Sequence, residues 1–94
     1  MQGKVVHCKK EPYDVYIGRP SIWGNPFEIG KHGTREEVIA KYRQHLKNDP
    51  LLMDRIMELD GKVLGCWCAP QACHGDVLLE VIGDIKKGLI KRNR

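Results

Sequence analysis

The order of apolar and polar residues along the chain predicts three short strands and three helices. Runs rich in β-branched, aromatic and other apolar residues at 4–8, 14–18 and 62–68 are typical of strands. Apolar residues recur every three or four positions in 34–48, in 50–59 and towards the end of the chain, which is typical of amphipathic helices. The order β-β-α-α-β-α predicts an α/β fold in which helices pack against a short sheet of about three strands.

Local signals predict the ends of the helices. Thr34 and Glu37 have the spacing of a capping box at the start of the first helix. Asp49 and Pro50 are suited to be the cap and the first residue of the second helix, which ends at Gly61. The first two strands can pair as a hairpin or lie side by side by another route, and the pattern does not choose between these arrangements.

The third predicted strand is nearly continuous in apolar residues, as expected of a strand that is covered on both faces. Side chains alternate across a strand, so Cys66 and Cys68 share one face and Trp67 takes the other. We therefore expect the Trp67 side chain to pack in the core.

The size and composition of the chain fit one small α/β domain, 1–94, with a basic tail at 86–94. With 94 residues, 41% of them hydrophobic, the chain can form only a small hydrophobic core, which gives a marginal stability. A bound ion, a ligand or association into a homo-oligomer would add stability. The chain has no apolar run of membrane-spanning length and no secretory signal pattern at its start. We therefore expect a cytoplasmic protein with reduced cysteines and no membrane partner.

The formal net charge of +4 is concentrated in the tail. Residues 86–94 contain five basic residues and no acidic one, whereas the rest of the chain is close to neutral. The domain body is therefore not a basic nucleic-acid platform, and the tail is the part that can contact nucleic acid or an acidic partner. Cations at the end of a C-terminal helix are equally explained by the helix dipole.

A dense cluster of cysteine and histidine lies at the predicted junction between the third strand and the last helix. Cys66, Cys68, Cys73 and His74 supply the atoms that zinc binds, although the spacing is not that of paired Cys-x2-Cys knuckles. Alternatively, Cys73 at a helix N-terminus beside an imidazole has the setting of a nucleophile with a lowered pKa. His74 is then the acid or base, Asp76 a weaker helper, and Cys68 the second candidate for the nucleophile. A third interpretation is structural: buried thiols pack a tight corner, and the polar edge binds a small molecule without chemistry.

Two unusual loops follow the second and third strands. Ligands in open α/β sheets bind beyond the carboxyl ends of the strands, so the loops share one edge if these strands are parallel neighbours. Arg19 can then hold a phosphate or carboxylate together with the free N–H groups at the start of the last helix. Trp23 and Asn25 can contact a base or a sugar, or else close the core and shape a turn. The full set of candidate ligand contacts is Gly18, Arg19, Trp23, Gly24, Asn25, Pro70 and Asp76.

Four segments resemble a small domain that is common in phage and bacterial genomes and is known as a domain of unknown function. They are Tyr16–Pro20, Trp23–Phe27, Gly65–Pro70 and Cys73–Leu78. The resemblance extends from about residue 5 to about residue 82 and implies the same domain boundaries and the same two loops. It implies no activity, because none is attached to that family.

Three functions follow from these observations. The first is an α/β domain that binds, or binds and processes, a nucleotide-like or phosphate-bearing small molecule, with Cys68, Cys73 and His74 on the reacting side. The second is a zinc-stabilised module that binds nucleic acid or protein. The third is a small inhibitor of a host protein, with the two loops as its contact surface.

Overall fold

The computed structural model describes residues 3–68, 71 and 73–89. The observed order of strands and helices confirms the predicted α/β fold. The strands are shorter than predicted, and the second helix continues into a 3-10 turn. The elements are β1 (Lys4–His7), β2 (Val15–Tyr16), α1 (Arg35–Lys47), α2 (Pro50–Arg55), the 3-10 turn (Ile56–Leu59), β3 (Val63–Cys66) and α3 (His74–Lys86).

The three strands form one parallel sheet in the order β1-β3-β2. The hairpin alternative for β1 and β2 is therefore wrong, because β3 lies between them. Gly65 is the partner of both Val6 and Tyr16 in the register of the sheet. At its start, the sheet is tied together by the Asp14 carboxylate, which accepts a hydrogen bond from the Val63 N–H at 2.8 Å. All three carboxyl ends consequently lie at the same edge.

The helices pack on the face of the sheet that carries Leu64. Helix α3 approaches closely at Gly75, where a Cβ atom would lie 2.8 Å from Val5 and 2.9 Å from Ile17. The predicted caps are present: Thr34 and Glu37 form the capping box of α1, and Asp49 caps α2. The largest fully buried side chains are Tyr42, Ile17, Leu46, Ile56, Leu59, Leu64, Leu78, Val77, Val81 and Cys66.

The opposite face of β3 is covered by an aromatic side chain. Gly65 is buried because the Tyr13 ring lies 2.6 Å from the position that a Cβ atom would take. Trp67 continues the alternation onto this side, away from Cys66, but its side chain is 53% exposed. The prediction that Trp67 packs in the core is therefore wrong, since the face to which it points lacks a helix among the described residues.

Two sequence expectations concern membranes and the tail. Among the residues described, none of the helices combines the length and the apolar content that crossing a membrane requires. Residues 90–94 of the predicted basic tail lie outside the described residues. Its contact with nucleic acid remains a prediction.

Candidate functional site

The carboxyl ends of β2 and β3 border a cavity of about 310 Å³, which we call the edge cavity. Its wall is formed by the chain after β2, the first turns of α1 and the corner between β3 and α3. Because β2 and β3 are parallel neighbours, the two loops singled out from the sequence do lie together. The lining residues are Gly18, Arg19, Asn25, Phe27, Glu28, Ile29, Arg35, Val38, Ile39, Cys66, Trp67, Cys68, Cys73 and His74.

Among the described residues, two arginines and one glutamate supply the charged groups of the edge cavity. The exposed Arg19 guanidinium pairs loosely with Glu28, with 3.7 Å between Nη1 and Oε2. Arg35 is the first residue of α1 and is half-buried in the same wall. Gly24 permits this arrangement, because a Cβ atom there would lie 2.9 Å from the Arg19 Cγ. The cavity is therefore suited to an anion.

Gly18 has a packing role beside the edge cavity. It is buried, and a Cβ atom at this position would collide with the Tyr16 hydroxyl group. The same hydroxyl donates to the carbonyl oxygen of Arg19 at 3.2 Å. Gly18 therefore lets the chain after β2 fold tightly against the Tyr16 ring and direct Arg19 to the cavity.

The structure assigns Trp23 and Asn25 to the scaffold. Trp23 is 4% exposed and belongs to the core, and its carbonyl oxygen accepts a hydrogen bond from the Tyr42 hydroxyl at 2.8 Å. It is not available to stack on a base, and its alternative role as a cover of the core is the one observed. Asn25 lines the cavity, but its Oδ1 accepts from the Phe27 N–H at 2.9 Å and its Nδ2 donates to the Val38 carbonyl at 3.3 Å. Its amide therefore ties the loop to α1.

An aromatic row, consisting of His7, Tyr13, Tyr16 and Trp67, extends from the edge cavity across the sheet. Trp67 Nε1 donates to the Tyr16 hydroxyl at 2.8 Å, and the rings of Tyr13 and Tyr16 are 6.2 Å apart. His7 meets the Trp67 ring edge-on at 5.8 Å, and the Lys9 ammonium lies 5.5 Å from its centroid. The row holds the half-exposed indole in a fixed orientation at the border of the cavity.

Cys66 and Cys73 form a buried dithiol pair in the wall of the edge cavity. Their Sγ atoms are 3.1 Å apart and share a hydrogen bond. The contact with Cys66 and burial both raise the pKa of the Cys73 thiol. The expected lowering of this pKa is therefore wrong, because the neighbouring sulfur and the apolar surroundings outweigh the Gly75 N–H that donates to the Cys73 sulfur at 3.3 Å. Cys68, two residues after β3, is half-buried in the cavity wall.

The amino end of α3 is capped by residues of its own. Cys73 is the N-cap, and the Asp76 carboxylate accepts the Cys73 N–H at 3.1 Å. The Gly75 N–H donates to the Cys73 sulfur, and the Asp76 N–H donates to the Cys73 carbonyl. These bonds occupy N–H groups that were expected to be free for an anion, and Asp76 has a capping role. Pro70 lies outside the described residues.

His74 is held as a neutral imidazole in the wall of the edge cavity. Burial lowers the pKa of His74, and the positive charge of Arg19 lowers it further. The hydrogen bond to Ile17 acts in the opposite direction but is outweighed. Its Nε2 is 2.7 Å from the Ile17 carbonyl oxygen, so this nitrogen is the donor and Nδ1 is the acceptor. The ring packs edge-on against Tyr42, with 5.0 Å between the centroids. His74 can therefore accept a hydrogen bond or a proton through Nδ1.

The four residues predicted to bind zinc do not converge. Within residues 3–68, 71 and 73–89, no three side chains of His, Cys, Asp or Glu form a group that could hold a metal ion. Cys66 and Cys73 meet, whereas the His74 ring is directed to the Ile17 carbonyl. Adjacent side chains at the start of a helix diverge, which separates Cys73 from His74. Zinc binding by this set of four therefore stays a prediction, without support from the described residues.

The contribution of α1 to the edge cavity has no signal in the local sequence pattern. Arg35, Val38 and Ile39 all line it, together with Phe27 and Glu28 of the preceding loop. A capped helix with arginine in its first turn was visible in the sequence. Its position beside β2 and β3 depends on tertiary packing, which no local pattern encodes.

Comparison with known proteins identifies the family. Residues 2–84 match a family described as a domain of unknown function, DUF4326. The chain belongs to this family. The resemblance inferred from the four segments is thus confirmed at the level of a domain of unknown function.

Two viral relatives share most of the family domain with this chain. The "Uncharacterized 12.4 kDa protein in nrdA-td intergenic region" of Enterobacteria phage T4 is 33% identical over 89 residues, which cover 89% of this chain and 81% of the relative. The "Uncharacterized protein R718" of Acanthamoeba polyphaga mimivirus is 37% identical over 92 residues, which cover 79% of this chain and 70% of the relative. No solved structure matches the chain significantly.

Proposed function

We propose that the edge cavity binds a small anionic ligand with a planar ring, and that this ligand is a nucleotide. The observation that carries the proposal is the meeting of Arg19, Arg35 and the half-exposed Trp67 in one cavity. Its volume of about 310 Å³ lies at the lower end of the range of about 300–1000 Å³ that is typical of small-molecule sites.

Each part of a nucleotide has a matching group in the cavity wall. A guanidinium binds phosphate through paired N–H donors, and Arg19 is exposed enough to offer them. An indole provides a stacking surface for a base, and the aromatic row fixes that of Trp67. The Nδ1 atom of neutral His74 can accept a hydrogen bond from a hydroxyl or amino group.

The segments that resemble the family supply most of this wall. Gly18 and Arg19 come from the first segment, Asn25 and Phe27 from the second, and the three cysteines, Trp67 and His74 from the third and fourth. The other lining residues, Glu28, Ile29, Arg35, Val38 and Ile39, lie outside the four segments. We therefore propose that these segments are the functional parts of the family domain.

Binding is better supported than covalent chemistry at this site. The raised pKa of Cys73 keeps its thiol protonated near neutral pH, and a protonated thiol is a weak nucleophile. The neutral His74 imidazole is able to act as a base, but a reacting group beside it is needed before a reaction can be assigned. The zinc-stabilised module and the host inhibitor have no comparable support from the described residues.

Isothermal titration calorimetry with nucleoside 5′-monophosphates, the matching nucleosides and inorganic phosphate tests the proposal. We expect saturable binding of a nucleotide, and weaker binding of the nucleoside and of phosphate alone. Arg19→Gln and Arg35→Gln should each weaken nucleotide binding about tenfold or more, because a hydrogen bond to a charged group contributes about 1.5–3 kcal/mol. Trp67→Leu should weaken binding and abolish the ligand-dependent change in tryptophan emission.

The matched control is Arg55→Gln. Arg55 is exposed and pairs with Glu58 at 3.2 Å, as Arg19 pairs with Glu28, but it lies outside the edge cavity. It should leave nucleotide affinity unchanged. The absence of saturable binding for every nucleotide, or equal effects of Arg19→Gln and Arg55→Gln, would refute the proposal.

A further inference from the structure

The dithiol pair has a geometry that is suited to disulfide formation. The Sγ atoms of Cys66 and Cys73 lie 3.1 Å apart, and the two residues are 1% and 3% exposed. Both line the edge cavity. We infer that this pair is redox-active and exchanges with a low-molecular-weight disulfide to form an intramolecular Cys66–Cys73 disulfide.

The two sulfurs are held in place by different elements. Cys66 is the last residue of β3 and is paired with His7 in the register of the sheet. Cys73 is the N-cap of α3, and its backbone N–H is bound by Asp76. A disulfide bond is about 2.05 Å long, so the sulfurs need to approach by only about 1 Å. Such an approach is within reach of small side-chain rotations.

The exchange proceeds in two balanced steps. One thiol of the pair loses its proton and attacks a sulfur of the small disulfide, which gives a mixed disulfide and releases one small thiolate. The second thiol then loses its proton and attacks the protein sulfur of that mixed disulfide, which releases the second thiolate. The two cysteine thiols are oxidised to one disulfide, and the small disulfide is reduced to two thiols that take up the two protons.

The surroundings favour the second step over accumulation of the mixed disulfide. The attacking sulfur is already in contact with its target, so ring closure has the advantage of an intramolecular reaction. The edge cavity, which both cysteines and the half-buried Cys68 line, gives a small disulfide access to the pair. Burial will make the first step slow compared with that of an exposed thiol.

Thiol mapping of the full chain tests the inference without any nucleotide, so its result is independent of the ligand proposed above. The folded protein is equilibrated in glutathione buffers of increasing oxidised fraction. It is then alkylated, reduced and alkylated with a second reagent, and tandem mass spectrometry locates the two labels. We expect one disulfide per chain, between Cys66 and Cys73, with Cys8 and Cys68 free. The oxidised form should also have a Tm several degrees higher, reversed by dithiothreitol, because the cross-link restricts the unfolded chain.

Cysteine variants provide the controls. Cys8→Ser and Cys68→Ser should each retain the cross-link and the rise in Tm, whereas Cys66→Ser should lose both. Four free thiols at the highest oxidised fraction would overturn the inference. So would a stable glutathione adduct on Cys68, or a link that joins Cys68 to Cys66. All three of these results are read on the wild-type chain and do not require any variant to fold.

Discussion

At the scale of single residues, the environment reverses the chemistry that the sequence suggests. Cys73 beside His74 at a helix start is the setting of an activated thiol. In the structure, the contact with Cys66 and burial raise the pKa of Cys73, while burial lowers the pKa of His74. Both residues are therefore neutral near pH 7. The role of Cys73 follows from its hydrogen bond to Cys66, which lies on another element, the strand β3. The role of His74 follows from its hydrogen bond to Ile17, which is 57 residues away in the sequence.

His74 makes stability depend on pH. Above its unfolded pKa of about 6.5, the imidazole is neutral in both states. As the pH falls below this value, the unfolded chain takes up a proton that the folded chain, with its lowered pKa, does not. The free energy of unfolding should therefore decrease between pH 7.5 and 5.5, by at most about 1.4 kcal/mol per pH unit for this one group. Urea unfolding at several pH values measures the decrease.

The variant His74→Gln isolates this contribution. Glutamine keeps an N–H donor for the Ile17 carbonyl but does not titrate, so the decrease between pH 7.5 and 5.5 should become smaller. If His74→Gln and the wild-type chain lose the same stability over this range, the neutral state of His74 is wrong.

At the scale of elements, α3 shows how a single glycine sets the distance between a helix and a sheet. Gly75 follows the first residue of α3 and lies against Val5 and Ile17. This contact brings the amino end of α3, with Cys73 and His74, to the carboxyl edge of the sheet. Arg43 on α1 and Glu80 on α3 form two hydrogen bonds of 3.0 Å, which join the two helices. The position of the edge cavity depends on this close approach.

Two alanine substitutions in α3 should have opposite effects. Gly75→Ala places a Cβ atom 2.8 Å from Val5, so overpacking should destabilise the fold by about 1–3 kcal/mol. Gly83→Ala meets nothing within 4 Å and should stabilise the same helix by about 0.5–1 kcal/mol. Chemical denaturation measures both. A neutral or stabilising Gly75→Ala would show that the helix and the sheet are not packed as tightly as described.

At the scale of the whole molecule, the two faces of the sheet have different covers. Helices cover the face of Leu64, and the aromatic row covers the face of Gly65. The two tryptophans differ accordingly, since Trp23 is buried in the core and Trp67 is half-exposed beside the edge cavity. A parallel sheet is usually buried on both faces. Because the aromatic row covers the Gly65 face less completely than helices would, this face is more exposed to solvent next to the proposed binding site.

Tryptophan fluorescence tests this asymmetry. Acrylamide should quench a large part of the wild-type emission, because it reaches the Trp67 ring. In Trp67→Phe, the remaining emission comes from Trp23 and should be blue-shifted and poorly quenched until the chain unfolds. Strong quenching of folded Trp67→Phe would contradict the burial of Trp23.

The sequence by itself determined the order of the elements and most of their ends. The apolar periods that define α1 and α3, the capping box of Thr34 and Glu37, and the start of α2 at Asp49 are local, so neighbouring residues encode them. The general rule for parallel sheets also predicted that the loops after β2 and β3 would meet, on the condition that these two strands are parallel neighbours.

Only the tertiary structure decided what the residues of those loops do. The alternation of side chains along a strand correctly predicted that Trp67 points away from Cys66. Whether the face of the sheet on the Trp67 side is covered depends on where distant helices pack. The same holds for the burial of Trp23, the contribution of Arg35 to the cavity and the contact between the two sulfurs. Burial and hydrogen bonding between distant segments set exposure and pKa values, and these are properties of the packed molecule rather than of any short stretch of chain.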